Sequence, residues 1–250
     1  MLDGALLQMD CFNEHEKLGG EMSFRYSKRD IAKTIDHSLL KPEMTREEVA
    51  AGCAIAREYD VASVCCKPSD IEFCAELLKG TDVEIGTVIG FPHGSSTTAV
   101  KVFETKDAIA RGATEIDMVL NIGLLRSGEL ASVENDIRAV VDAAGGKMVK
   151  VILENAYLTE AEKVAACKIV ESAGGHYVKT STGYAPSGAT IADVKLMKNS
   201  VSPNVKIKSA GGIRTLDALI EMIDAGVTRS GATTTATMLQ EYDARFGSSN

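Results

Sequence analysis

Two lysines and an aspartate at predicted strand ends could act together on a carbonyl group. Lys179 and Lys208 each end a short β-branched segment, and Asp117 lies within another. A lysine attacks a carbonyl only as the neutral amine, and both burial and a nearby cation lower the pKa of an amine. We therefore expect Lys208 to keep Lys179 nucleophilic. The iminium formed on Lys179 would weaken an adjacent carbon–carbon bond, and Asp117 could move the protons.

Side-chain alternation along the predicted strands indicates where such groups point. In a barrel strand, successive residues face alternately the lumen and the surrounding helices. Where one alternate set is apolar, it should pack under the helices, so the charged set should face the lumen. That charged set is Asp36, Asp117, Lys150, Glu154, Lys179 and Lys208. Clustered ionisable groups in a cavity favour function over a merely tolerated ion network. Glu115 and Lys206 come early in their strands, and we expect them to be solvated at the bottom of the barrel.

Three loops of small residues follow the last three predicted strands. They are residues 180–183, 209–212 and 231–234. Small residues expose backbone N–H groups, and helix N-termini favour anions. The loops after the seventh and eighth strands are also the usual phosphate site of such barrels. The pattern therefore predicts a phosphate site at these loops, to which Arg214 could add a guanidinium group.

The elements that must position these residues alternate regularly between strand and helix. The predicted strands are 34–39, 61–66, 83–89, 115–120, 148–153, 176–179, 205–208 and 227–231. The predicted helices are 46–59, 98–111, 129–144, 159–173, 190–197 and 216–225. Eight such repeats predict an α/β fold, a closed (β/α)8 TIM barrel, over residues 30–250.

Residues 1–29 fit no strand–helix repeat, and we interpret them as a short, loosely ordered N-terminal extension to the single domain. Residues 19–21 read Gly-Gly-Glu, which purine-rich codons of a ribosome-binding sequence could encode. If the source is bacterial, Met22 would then be the true initiator. A chain that starts at Met22 should fold and work normally.

Composition and charge exclude several classes of protein. The 250 residues are 45% hydrophobic and 25% charged, which is typical of a globular domain. The net charge of −8 argues against nucleic acid or a membrane as partner, but a small anionic substrate remains possible. No apolar run approaches the length of a membrane span. Homo-oligomerisation stays open.

The cysteines and histidines indicate the cellular compartment of the protein and whether it has a metal site. The six cysteines form no CxxC pair, and no signal peptide is recognisable, so we expect reduced thiols and a cytoplasmic protein. No HExxH motif or Cys/His cluster occurs, so no metal site is expected. Cys65 has lumen parity, and we expect a buried structural thiol rather than a nucleophile.

Several of these segments resemble the deoxyribose-phosphate aldolase family. The matching motifs are residues 35–42 (IDHSLLKP), 90–94 (GFPHG), 115–123 (EIDMVLNIG), 178–183 (VKTSTG) and 208–215 (KSAGGIRT). They occur in the family's order, and the resemblance covers about residues 31–245. It implies a class I, metal-independent aldolase that needs no cofactor. The reaction implied is reversible cleavage of 2-deoxy-D-ribose 5-phosphate to D-glyceraldehyde 3-phosphate and acetaldehyde.

The resemblance also implies roles for individual residues. Lys179 would form the Schiff base, Asp117 and Lys208 would transfer protons, and Asp36 would contact Lys208 beside the substrate. The phosphate ligands would be Thr182, Gly183, Gly211, Gly212, Thr233 and Thr234, and we add Gly231 and Arg214 from the loop argument.

The chain departs from the family pattern at a few positions. Residues 209–210 read Ser-Ala where the family has Ala-Ser, and threonines 233 and 234 stand where serines are common. Lys150 could be catalytic, or it could simply pair with Glu154 or Asp117.

Three other functions remain open at the level of sequence. Another Schiff-base barrel aldolase or transaldolase could act on a different phosphorylated sugar, with a ketone rather than acetaldehyde as donor. A binding or regulatory barrel could have lost catalysis, although the intact lysine pair argues against this. A metal-dependent aldolase would be excluded by insensitivity to a chelator.

Overall fold

Eight parallel strands form a closed barrel in the computed structural model, which describes residues 25–247. The strands are β1 Ile35–Leu39, β2 Ser63–Cys66, β3 Glu84–Ile89, β4 Glu115–Val119, β5 Met148–Ile152, β6 Tyr177–Lys179, β7 Lys206–Ala210 and β8 Arg229–Ala232. Each strand pairs with the next in the sequence, and β8 pairs with β1 to close the barrel. The predicted (β/α)8 barrel is confirmed, and every predicted strand is present with ends that differ by a few residues.

Helices surround the barrel. They are α1 Lys28–Ala32, α2 Arg46–Glu58, α3 Ile71–Leu77, α4 Thr98–Ala110, α5 Ile122–Arg126, α6 Leu130–Ala143, α7 Glu160–Ser172, α8 Ile191–Ser200, α9 Leu216–Ala225 and α10 Thr235–Phe246. The six predicted helices correspond to α2, α4, α6, α7, α8 and α9. None of the helices in the described residues is both long and apolar enough to cross a membrane.

Threonine caps fix where several helices begin. Thr45 accepts a hydrogen bond from the backbone N–H of Glu48, whose carboxylate accepts in return from the Thr45 N–H. Thr159 and Glu162 form the same reciprocal pair ahead of α7. Such capping boxes satisfy N–H groups that the helix itself leaves free, so they set the point where each loop turns into a helix.

The apolar core lies between the strands and the helices, as the alternation predicts. The strand residues in this core include Ile35, Ile116, Met118, Val149, Val151, Val178 and Ile207. The charged residues between them on the same strands therefore face the lumen, where Asp36, Asp117 and Lys208 are completely buried. The alternation of the two sets thus separates a packed apolar layer from a charged interior.

Only residues 25–29 of the expected N-terminal extension lie within the described part of the chain. Ser27 caps α1 in a capping box with Asp30, so a helix begins within the expected extension. The Tyr26 hydroxyl donates to Asp224 Oδ1 over 2.7 Å, which attaches this segment to the end of α9. The rest of the expected extension, including Met22, lies outside the described residues.

Candidate active site

Asp117, Lys179 and Lys208 meet in the lumen. Asp117 Oδ2 accepts hydrogen bonds from Nζ of Lys179 and Nζ of Lys208, each over 2.7 Å. The two lysines occupy paired positions on β6 and β7, and no side chain of the three is more than 3% exposed. The structure therefore brings together the three residues that the sequence singles out for chemistry.

The two lysines differ in the charges around them. Burial lowers the pKa of the Lys179 amine, and the charge of Lys208 lowers it further, although Asp117 opposes both effects. Burial would also lower the pKa of Lys208, but Asp117 and Asp36 together raise it. Lys208 contacts two carboxylates and Lys179 only one, so Lys208 keeps its proton while Lys179 can exist as the neutral amine.

Asp117 is held in its ionised form. Burial alone would raise the pKa of this carboxyl, but Lys150, Lys179 and Lys208 hold it well below its usual range. Asp36 makes an ion pair with Lys208, the contact that the family resemblance implies. Both carboxylates are therefore anions that fix the positions of the surrounding ammonium groups.

Lys150 lies one layer below Lys179 and Lys208 in the lumen, and it forms ion pairs with three carboxylates. Its Nζ is 3.0 Å from Asp117 Oδ1, 2.6 Å from Glu115 Oε2 and 3.4 Å from Asp36 Oδ2. Burial would lower the pKa of Lys150, but these three carboxylates raise it well above its usual value. Lys150 is therefore a charged partner of Asp117 and not a second neutral amine.

Glu154 does not pair with Lys150, which corrects one of the two partners expected for that lysine. β5 ends at Ile152, and Glu154 has a left-handed backbone with φ of 56°, so its side chain does not follow the alternation of the strand. Its carboxylate accepts instead from the backbone N–H of Thr182 over 3.2 Å and from the Thr182 hydroxyl. Glu154 therefore fixes the loop after β6.

Glu115 is buried, which corrects the expectation that it is solvated at the bottom of the barrel. It is 2% exposed and lies between Lys150 and Arg229, with 2.5 Å from Glu115 Oε1 to Arg229 Nη2. Arg229 also pairs with Asp36. The guanidinium lies under the lumen charges, so Glu115 meets a cation rather than water. Lys206 is exposed, as expected.

Sequence reasoning missed Arg229. The segment 227–231 contains small residues on both faces, so no apolar set stands out against a charged one. Arg229 and Gly231 nevertheless lie two residues apart, so they face the same side of the strand. Gly231 pairs with the lumen residue Asp36 where β8 closes the barrel against β1, so this shared side could have indicated that Arg229 also faces the lumen.

A cavity of about 240 Å³ opens above the two lysines. Ten of the twelve site residues identified from the sequence line it: Asp36, Lys179, Thr182, Gly183, Lys208, Gly211, Gly212, Arg214, Gly231 and Thr233. Asp117 lies beneath the lysines, and Thr234 lies behind the rim with its hydroxyl donating to the Arg214 carbonyl over 3.0 Å. Lys41, Cys65, Tyr184 and Ala210 are further lining residues that the candidate set did not contain.

Glycine backbones form one wall of this cavity. Gly183 and Gly212 have φ of 91° and 87°, and a Cβ at either would have no neighbour within 4 Å. Gly211 is different, because a Cβ there would come within 2.9 Å of the Gly188 Cα. Gly183 and Gly212 therefore leave room for a ligand beside the main chain, whereas Gly211 is also needed for loop packing. Helix α10 begins at Thr235, directly after the third loop.

The hydroxyl of Ser209, which stands one position earlier than in the family, does not reach the cavity. Ser209 Oγ lies 2.7 Å from Ser230 Oγ, and both residues are fully buried. Ala210 lines the cavity in its place. Hydroxyl groups at the cavity come instead from other residues, among them Ser38 and Thr233.

Neither Cys65 nor His37 is activated as a nucleophile or a base. Burial raises the pKa of the Cys65 thiol, which disfavours the thiolate, and no described cysteine is in a disulfide. Burial also lowers the pKa of His37 to about 4, and its Nδ1 is 2.8 Å from the Thr235 hydroxyl. Within residues 25–247, no group of three histidine, cysteine or carboxylate side chains is placed to hold a metal ion.

Comparison with known proteins gives consistent matches. Residues 30–244 match the sequence model of the DeoC/LacD family aldolases. A deoxyribose-phosphate aldolase of Staphylococcus epidermidis is 54% identical over 213 residues, which are 85% of this chain and 97% of that protein. One from Streptococcus equi subsp. zooepidemicus is 49% identical over 218 residues, 87% of this chain and 99% of that protein. A tetrameric deoxyribose phosphate aldolase from Aeropyrum pernix superposes with a TM-score of 0.81 at 28% identity, covering 87% of this chain and 93% of that one.

Proposed function

The chain belongs to the DeoC/LacD family of aldolases, and on that premise we propose that Lys179 carries its reaction as a Schiff base. The protein is an aldolase, a carbon–carbon lyase that reversibly cleaves 2-deoxy-D-ribose 5-phosphate to D-glyceraldehyde 3-phosphate and acetaldehyde. One observation carries the mechanism: two buried lysines share a single carboxylate oxygen, and only Lys208 has a second carboxylate partner, Asp36.

The first steps form the covalent bond. The neutral amine of Lys179 attacks the aldehyde carbon C1 of the open-chain sugar, and loss of water gives the iminium. The iminium then accepts the electrons of the C2–C3 bond as the proton leaves the C3 hydroxyl, so D-glyceraldehyde 3-phosphate departs and an enamine remains. Protonation of the enamine at C2 and addition of water release acetaldehyde and restore the amine.

Asp117 and Lys208 are placed to move the protons of these steps. Lys208 is the charged donor, and Asp117 Oδ2 lies within hydrogen-bond distance of both ammonium nitrogens. Because Asp117 is strongly stabilised as an anion, it holds the lysines and passes a proton between groups instead of keeping one. Lys208 therefore acts as the acid and, after donating, as the base.

We place the sugar phosphate against the glycine loops. Gly183 and Gly212 present open backbone beside the cavity, and the N-terminus of α10 follows Thr233. A helix N-terminus and unhindered N–H groups both favour an anion. Arg214 and Lys41 also line the cavity and add positive charge. The Thr182 hydroxyl and N–H point at Glu154, so we assign Thr182 mainly to the shape of its loop.

Borohydride trapping tests the covalent step. With acetaldehyde present, reduction should add the mass of the donor to one lysine, and peptide mapping should find it on the Lys179 peptide. A chelator should change nothing. Lys179→Arg keeps the charge but cannot form the iminium, so it should abolish both trapping and cleavage. A label on Lys208 or Lys150, or an active Lys179→Arg enzyme, would refute the assignment; a requirement for a ketone donor would indicate a different aldolase.

We also propose that the protein is a cytoplasmic homo-oligomer. The Aeropyrum pernix relative is tetrameric, which supports self-association. The free, buried thiols at Cys53, Cys65, Cys66, Cys74 and Cys167 support a reducing compartment. A net charge of −8 supports a small-molecule substrate in preference to nucleic acid or membrane. Light scattering at micromolar concentration tests the first point, and a monomer there would contradict it.

A further inference from the structure

Six charged side chains close a ring of ion pairs beneath the cavity. In order around the ring they are Asp117, Lys150, Glu115, Arg229, Asp36 and Lys208, and Lys208 returns to Asp117. Signs alternate at every step, so each carboxylate lies between two cations. The ring draws on β1, β4, β5, β7 and β8. Five of its side chains are at most 3% exposed, and that of Arg229 is 11% exposed.

The charges of this ring cancel. Three carboxylates face three cations, and Lys179 is attached to the ring through Asp117 alone. Leaving a net charge in such a buried place is costly. With Lys179 protonated the cluster has four cations for three carboxylates, so loss of one proton makes it neutral. Lys179 is the amine that gives up this proton, because it contacts one carboxylate while Lys150 and Lys208 each contact at least two. The charge balance involves every member of the ring, including Arg229 and Glu115, which do not line the cavity.

We propose that Arg229 and Glu115 are positioning residues that set the protonation state of Lys179 by balancing the charge of the ring. Neither side chain lines the catalytic cavity. The inference rests on the proposed function, in which Lys179 reacts as the neutral amine. It adds that the reactivity of Lys179 is controlled from the opposite end of the lumen, through the pairs of Arg229 with Asp36 and Glu115 and of Glu115 with Lys150.

Other ionisable groups near Lys179 do not change the balance. The ionisable groups that act on Lys179 from the strands are Asp117 on β4, Lys208 on β7 and Cys65 on β2. Asp36 on β1 lines the same cavity, whose rim adds Lys41, Tyr184 and Arg214. Lys150 on β5 is linked to Lys179 through their shared partner Asp117. Burial keeps the Cys65 thiol neutral. The rim groups border the open cavity, where water screens them. The ring is therefore the main fixed charge that Lys179 meets.

The proposal predicts shifts of opposite sign for two substitutions. Arg229→Met leaves the ring with one excess negative charge, which favours protonated Lys179 and moves the acid limb of the pH–rate profile to higher pH. Glu115→Gln leaves one excess positive charge and should move the same limb to lower pH. The double variant is neutral again, so its limb should return toward that of the wild type. A shift of about one pH unit is a tenfold change in rate below both midpoints.

The measurement is kcat/KM for cleavage of 2-deoxy-D-ribose 5-phosphate from about pH 5 to about pH 10 in each variant. Arg229→Lys keeps the charge, so it should keep the wild-type profile. Arg138→Met is the matched control, since Arg138 is exposed on α6 and pairs with Glu134 outside the barrel. If Arg229→Met fails to fold, Glu115→Gln and the double variant still test the opposite shift and its cancellation.

Opposite shifts that cancel in the double variant would support the proposal. A role in folding alone predicts rate losses that accumulate in the double variant while the pH midpoint stays fixed, and that result would overturn it. Borohydride trapping is run on every variant in parallel. A label on Lys179 with unmoved midpoints defeats the charge-balance inference only, whereas a label on another residue defeats the proposed function itself.

Discussion

Replacing Lys208 with methionine removes the cation beside Lys179, the proposed Schiff-base amine, and nearly keeps the length of the side chain. Both lysine nitrogens lie 2.7 Å from the same Asp117 oxygen, so they are at most about 5.4 Å apart. At an effective dielectric constant of ~20, two unit charges at that separation repel by about 3 kcal/mol. Loss of this repulsion should lower the fraction of neutral Lys179 about a hundredfold at neutral pH.

The pH dependence of iminium formation separates this effect from a loss of proton transfer. Lys208→Met should form the acetaldehyde adduct about a hundredfold more slowly near pH 7 and recover as the pH rises, because a higher pH deprotonates Lys179 again. Lys206→Met is the matched control, since Lys206 has the same parity on β7 but is exposed. It should trap at the wild-type rate. A loss for Lys208→Met that is equal at every pH would refute the reasoning.

Three further outcomes are expected. Gly212→Val, in left-handed backbone beside the cavity, should raise KM for the phosphorylated sugar about tenfold or more and affect unphosphorylated deoxyribose less; equal losses would place the phosphate elsewhere. Lys101→Met breaks a buried 2.6 Å pair with Asp136 and should cost about 3–5 kcal/mol in urea unfolding, whereas the exposed Lys106→Met should cost little. The buried carboxyl of Asp117 has a pKa held well below its usual range by its three lysine partners. The stability it contributes is thus present above about pH 4 and lost as the pH falls further, so thermal melts should decline there and Asp117→Asn should flatten that decline.

The lumen charges could be predicted because the alternation of a strand is a local property. Asp117, Lys179 and Lys208 each follow an apolar neighbour that must lie under the helices, and that one constraint fixes where they point. The order of the strands then follows from the repeated strand–helix pattern. The place of these three proposed catalytic groups needed no information beyond these two rules.

The partners of these groups could not be predicted in the same way. Glu154 leaves the alternation because its backbone turns left-handed after β5, and no residue type in the segment marks that change. The sequence predicted a solvated Glu115 because its burial depends on its ion pair with Arg229. Arg229 lies on β8, across the closed barrel from β4, and no local pattern indicates that contact. Helices α3 and α10 were missed because the first has only seven residues and the second opens with threonines, which are weak helix formers.

The ring of six ion-paired side chains also has a consequence for folding during synthesis. Asp36 belongs to β1 and its partner Arg229 to β8, so nearly two hundred residues are synthesised between them. Until the last strand leaves the ribosome, Asp36 and Glu115 lack the guanidinium that allows them to be buried, and an incomplete barrel must keep these carboxylates hydrated. We therefore expect nascent chains that end before β8 to stay open to proteases, with cooperative folding only once the last strand is available.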